Sequence, residues 1–304
     1  MTQWLLSIEG TPTGHQLALT LALLAAFLHA VFGALQKGAH DPWLTRGAID
    51  ICYAAMALPV ALFVVPWPQP ALWPILGVAF LIHSGYKLAQ AYTYQLGSYT
   101  VVYPVVRGTG PLFTVFGAAL LFGEHFAPLQ WLGVVVLLSG IFGLAAYNLR
   151  HWQIGRAQLK PALAMAVVTG LFVASYTTWD ALGIRTALDP FTFLAWFFLI
   201  DGFFMPVLAA LRWRNMAVRP TLAPLMRRGF LGAIIAYFSF GSILMATRLD
   251  KVGEAAVLRE TSTVFAALIG WLMLGERVGR RRLVLMGLIA AGAVIVEMGA
   301  KGTP

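Results

Sequence analysis

Apolar runs of about twenty residues follow one another along this chain from end to end, parted by short breaks with turn chemistry such as Pro66-Trp67-Pro68-Gln69-Pro70. A helical run of that length crosses a hydrocarbon core about 30 Å thick. Only a helix satisfies its own backbone within one continuous run, so the spanning element is helical. The pattern predicts ten spans, at 15–37, 45–65, 71–95, 99–122, 128–148, 161–183, 190–211, 224–247, 253–274 and 283–300. The expected class is an all-α polytopic membrane protein. A charged fraction of 11% and a mean hydropathy of +0.78 leave nothing over for a water-soluble domain, since soluble chains carry about 25% charged residues.

The formal charge of +9 does not point to nucleic acid. The basic residues form short clusters between apolar runs, at 150–160, 212–228 and 277–282, the pattern that holds membrane loops in the cytoplasm. Of 21 Lys and Arg, three lie deep inside spans, Lys87, Arg107 and Arg259, and those at span ends are counted with the adjoining loops. Fourteen fall in the loops after the odd-numbered spans and four on the other side. That bias puts both termini outside the cytoplasm of, by expectation, a bacterial inner membrane. Cys52, the one cysteine, lies in an apolar run, so neither an internal disulfide nor a thiolate metal site is expected. No Lys or Arg precedes Lys37, so the first run reads as a permanent span and not as a cleaved signal. No cofactor is expected, and no phosphate-binding G-x-x-x-x-G-K-[ST] motif occurs.

The chain also repeats. Shifted by 152 positions, Gly123-Glu124 falls on Gly275-Glu276, Arg107 on Arg259, Thr109 on Thr261, Phe113 on Phe265 and Gly140 on Gly292. Phe32 aligns more loosely with Tyr176, and Pro42 with Pro190. Residues 1–148 and 161–304 thus read as two five-helix repeats joined by a linker at 149–160. Five is odd, so the repeats cross the membrane in opposite senses. The stretches "YPVVRGTGPLFTVFGAALLFGE" and "VLRETSTVFAALIGWLMLGE", each followed by a glycine-spaced last helix, resemble the EamA-type branch of the drug/metabolite transporter superfamily. The resemblance covers essentially the whole chain. It implies a ten-helix transporter, with relatives that move amino acids, sugar phosphates, nucleotide sugars, purines and drugs, many of them outward. Thr263 stands where the first repeat has Pro111, so the repeats are not equivalent. The family is also usually described with cytoplasmic termini, opposite to the charge bias here.

Arg107 and Arg259 lie about 12 Å and about 9 Å into their spans, approached from opposite faces. A charged residue at such depth costs about 2.5–3.5 kcal/mol on insertion scales, so partners or a wet cavity are required. Lys87 lies at similar depth to Arg107 across the hairpin near Gly97. His83, Lys87, Gln90 and Tyr94 form one helical stripe. Around Arg107, Pro104, Gly108, Gly110 and Pro111 predict an interrupted helix, with Thr109 capping a new start. Such an interruption aims free N–H groups at an anion. The expected substrate ligands are Lys87, Arg107, Arg259, Tyr103, Thr109, Thr261, Ser262 and Gln90. Glu260, Asp201, His83 and His29 are read as proton carriers or counter-ions. Adjacent helical residues diverge by about 100°, which argues against direct pairing of Glu260 with Arg259. Asp50 and Asp180 read as solvated interfacial residues, and Trp179 as a boundary anchor. Glu124 and Glu276 read as turn and packing residues.

These features predict a secondary transporter, an exporter by resemblance, for a small polar metabolite with a carboxylate, phosphate or phosphonate, amino acids included. It would work by alternating access of the two halves, with proton coupling open. A lipid flippase shares the fold and differs in cargo. An intramembrane enzyme is the weaker alternative, because no metal or clustered His/Asp constellation is legible.

Overall fold

The computed structural model describes residues 2–36, 41–96, 99–149, 156–274 and 279–300. Among them every regular element is a helix: α1 Thr2–Ile8, α2 Pro12–Gln36, α3 Pro42–Phe63, α4 Leu72–Leu96, α5 Tyr99–Phe122, α6 Pro128–Leu149, α7 Arg156–Thr186, α8 Pro190–Asp201, α9 Phe204–Arg214, α10 Leu222–Leu249, α11 Val252–Arg259, α12 Ser262–Leu274 and α13 Arg280–Ala300. Nine segments of the described chain are long and apolar enough to cross a membrane, with α8 and α9 counted as one. α11 and α12 together occupy the remaining predicted span. The fold class is therefore the expected one. Large apolar side chains such as Phe63, Leu120 and Leu272 stand exposed, as a lipid-facing surface requires.

The predicted span ends hold to within a few residues, with one extension. α7 starts at Arg156, inside the stretch read as linker. Gly275-Glu276 lie outside the described residues.

The helices assemble as two compact units, Met1–Ser84 with Trp179–Leu249 and Gly85–Thr178 with Asp250–Pro304. Each draws on both sequence repeats. α4 passes from one unit to the other between Ser84 and Gly85, and α7 between Thr178 and Trp179.

In the first unit, the loosely aligned prolines turn out to be matched helix starts. Asp41 caps α3 by accepting from the amides of Trp43 and Leu44, and Asp189 caps α8 by accepting from Thr192 N. Pro42 and Pro190 follow at the first helical position, where the missing N–H is not needed. α3 then packs on α10, where the Gly229 Cα sits so close to Ala48 that a Cβ would stand 2.8 Å from its carbonyl oxygen. In the second unit, the last helices of the two repeats, α6 and α13, meet backbone to backbone. A Cβ at Gly292 would lie 2.5 Å from Leu137 N and 2.6 Å from the Gly133 carbonyl oxygen. Small residues let helices approach this closely inside a membrane.

The predicted interruption at Arg107 is not present. α5 runs unbroken from Tyr99 to Phe122 with Pro104 and Pro111 inside it. Thr109 does not cap a new start; its hydroxyl donates back to the Val105 carbonyl at 2.7 Å. The Thr114 hydroxyl donates to the Gly110 carbonyl at 2.9 Å. Threonine hydroxyls of this kind help a membrane helix to tolerate proline. The glycines serve close packing instead: Gly108 abuts Phe142 of α6, and Gly110 abuts Val173 of α7.

The break lies in the second repeat. α11 ends at Arg259, and the chain tightens through i→i+3 bonds from Glu260 N to Val257 O and from Thr261 N to Leu258 O before α12 begins. A five-residue polar run, Arg259-Glu260-Thr261-Ser262-Thr263, has no apolar contact to gain by continuing the helix. The seventh predicted span is broken as well, at Gly202-Phe203, immediately after Asp201.

Candidate substrate site

All the expected ligands belong to the second unit, and three of them, Arg259, Ser262 and Tyr103, meet Arg107. This residue is buried on α5. Its Nε lies 2.9 Å from Oε2 of Glu260. Its Nη2 donates to Ser262 Oγ at 2.8 Å and to the main-chain carbonyl of Arg259 at 3.3 Å. One guanidinium thus meets three residues of the α11–α12 break, Arg259, Glu260 and Ser262, using the several donors of its planar fork. Glu260 and Ser262 are themselves buried, so the pair sits where charge is costly unless matched.

Helix geometry explains the arrangement. Arg259 is the last residue of α11, and its carbonyl no longer has a full set of i→i+4 partners. Arg107 supplies a donor there. Glu260 lies within electrostatic reach of both arginines, while its ion pair is made with Arg107. The side chains of Arg259 and Lys87 are also buried.

Tyrosines complete the surroundings. The Arg107 guanidinium stands over the Tyr103 ring, 5.9 Å from its centroid, a cation–π distance. Tyr86 and Tyr176 are close enough to act on the same charge. They meet edge to face at 5.0 Å between centroids. Gln90 donates to the Tyr86 hydroxyl at 2.6 Å. Lys87 follows Tyr86 on α4. Arg107 and Glu260 form the ion pair, with Arg259 in electrostatic reach of the same carboxylate.

Two expected hydrogen-bond donors are committed elsewhere. Thr109 donates to Val105 O, and the Thr261 hydroxyl donates to Leu258 O at 2.7 Å. Each keeps only acceptor capacity for a ligand.

The remaining candidates belong to the first unit. His29 is half-buried on α2. Asp201 ends α8 and accepts a hydrogen bond from the Tyr53 hydroxyl of α3 at 2.5 Å. His83 Nε2 lies 2.7 Å from Oδ2 of Asp180 on α7. The sequence reading of Asp50 and Asp180 as solvated interfacial residues is corrected: both are fully buried. α7 continues to Thr186, which carries Asp180 into the packed interior, and Asp50 pairs with Arg46 at 2.8 Å one turn earlier. Trp179 packs inward too, donating to the Ile75 carbonyl at 3.0 Å.

Three residues with evident roles escaped sequence reasoning: Tyr53, Asp180, and Glu124 as a helix cap. Glu124 accepts from Val252 N at 2.8 Å and from Gly253 N at 3.0 Å. It thereby satisfies two open amides at the start of α11 from 128 residues away. Gly123 makes the turn possible with φ of +66°. The partners of Tyr53 and Asp180 are 148 and 97 residues off, beyond any local signal.

A two-repeat array of membrane-length helices, broken where buried charges are held, is an architecture common among secondary transporters. The chain belongs to the EamA-like transporter family, whose model matches residues 16–146 and 160–298. It is 26% identical over 189 residues to the uncharacterized transporter YdfC of Bacillus subtilis (strain 168). That match covers 61% of this chain and 58% of YdfC, so it spans little more than half of that relative. A crystal structure of a protein aligns with 94% of this chain and 98% of its own, with a TM-score of 0.72 and 20% identity. That likeness concerns the fold.

Proposed function

We propose that this chain is a secondary transporter that exports a small polar metabolite bearing an acidic group: a carboxylate, phosphate or phosphonate, amino acids included. The observation that carries the reading is the Arg107–Glu260 pair at the α11–α12 break, with Arg259 and three tyrosines around it. An incoming acidic group meets the planar fork of a buried guanidinium, where charge-assisted hydrogen bonds are strong. The acidic group competes with the Glu260 carboxylate for the Arg107 fork, while Ser262, Gln90 and Tyr103 orient the rest of the cargo. Exchange of one carboxylate for another keeps the guanidinium paired throughout the cycle, so no state leaves it buried alone. Alternating access then carries the cargo across.

The test is exchange measured in proteoliposomes with a panel of carboxylic acids, amino acids and phosphorylated compounds. Wild type is compared with Arg259→Ala and with the double variant Arg107→Ala/Glu260→Gln, which leaves no orphan carboxylate. Folded variants that lose exchange of the anionic cargo support the reading. Undiminished exchange in both overturns it.

A further inference from the structure

The first unit holds a second set of buried ionisable groups that cargo binding does not use. His83 on α4 and Asp180 on α7 form a direct pair, with the imidazole nitrogen 2.7 Å from the carboxylate. Asp180 is fully buried, and its second oxygen, Oδ1, has no hydrogen-bond partner among the described residues. The imidazole is enclosed by aromatic rings, Phe197 of α8 at 4.9 Å and Phe240 of α10 at 5.6 Å between centroids. Other ionisable groups stand on the neighbouring helices. Asp201 of α8 acts on Asp180, and Tyr53 of α3 donates to Asp201, with Arg46 and Asp50 acting on Tyr53. Tyr237 of α10 stacks on Phe198, and Lys87 follows one turn after His83 on α4.

We propose that His83 and Asp180 form the proton-binding pair that couples transport to a proton gradient. The inference rests on the transporter reading above. With His83 neutral, the pair carries one negative charge. Taking up a proton at the imidazole gives an imidazolium–carboxylate pair of net zero charge. One N–H bond forms on uptake from water on one side and breaks on release to water on the other. Burying the charged form is the costlier case. Wetting the pair therefore favours release, and drying it favours uptake, which ties proton occupancy to conformation. His83 and Asp180 are each the second residue from the point where α4 and α7 leave the unit. The change in charge is therefore applied to the two helices that both units share.

Two measurements on the full-length protein test this. The first compares counterflow exchange, which needs no gradient, with accumulation driven by an imposed pH difference and a clamped membrane potential. A difference of one pH unit sustains about a tenfold concentration ratio per coupled proton. Wild type is expected to show that accumulation. Asp180→Asn and His83→Gln are expected to keep exchange and lose accumulation. Accumulation in Asp180→Asn equal to wild type overturns the proposal, as does joint loss of exchange and accumulation in both variants. The second is pH-jump infrared difference spectroscopy of purified protein, which is independent of cargo. Imidazole and carboxyl bands that vanish in both variants support the pair as a proton site; unaltered spectra overturn it. If wild type exchanges no compound of the panel, the cargo reading fails, and the infrared result alone decides the proton site.

Discussion

The Arg107 guanidinium donates to the carbonyl of Arg259, the residue 152 positions onward that holds its own place in the second repeat. The same position of the two sequence repeats thus stands on either side of one contact. The broken second copy also supplies Glu260, the carboxylate that pairs with Arg107.

Removing one member of the Arg107–Glu260 pair is expected to be worse than removing both. Arg107→Ala strands a buried carboxylate, a loss of about 3–5 kcal/mol when a buried pair is broken. The double variant Arg107→Ala/Glu260→Gln should recover most of that. Equilibrium unfolding in mixed micelles reports both values. A single variant as stable as wild type would contradict the buried pair.

Glu124→Ala should loosen α11 without touching the cluster. The amides of Val252 and Gly253 lose their acceptor, at a cost of about 0.5–2 kcal/mol for a helix cap. Hydrogen exchange should accelerate in the first turn of α11 and stay unchanged in α13. Unaltered protection of residues 252–255 would remove the capping role.

Gly292→Ala should force α13 away from α6, since the added Cβ meets main chain that has no rotamer to yield. Overpacking of this kind costs about 1–3 kcal/mol. Gly287→Ala on the same helix has open space at the Cβ position and serves as the control. Equal melting temperatures for the two variants would disprove the close contact.

The charge bias predicts that a reporter fused to the C-terminus faces away from the cytoplasm. An alkaline phosphatase fusion should be active and a green fluorescent protein fusion dark. The reverse result would show that loop charge does not govern insertion here.

The all-helical class, the approximate positions of the spans and the two-fold repeat were legible in the sequence because membrane insertion is local physics. A run of about twenty apolar residues is helical in hydrocarbon whatever its neighbours do. The chemistry of the mid-span arginines was legible for the same reason: charge at that depth needs compensation. The site of the helix break was not. Pro104, Gly108 and Pro111 favour interruption by propensity, yet α5 stays whole because Phe142 and Val173 pack against its glycines. The uninterrupted polar run after Leu258 was the better signal.

The sequence by itself determined the spanning helices, their repetition and which charged residues lie inside the spans. Only the tertiary structure decided which acid meets which base: Glu260 with Arg107, Asp180 with His83, Asp201 with Tyr53. Those pairings join residues 97 to 153 positions apart. They exist because burying a charge is unfavourable until the packing of distant helices delivers its partner, and no local pattern encodes that delivery.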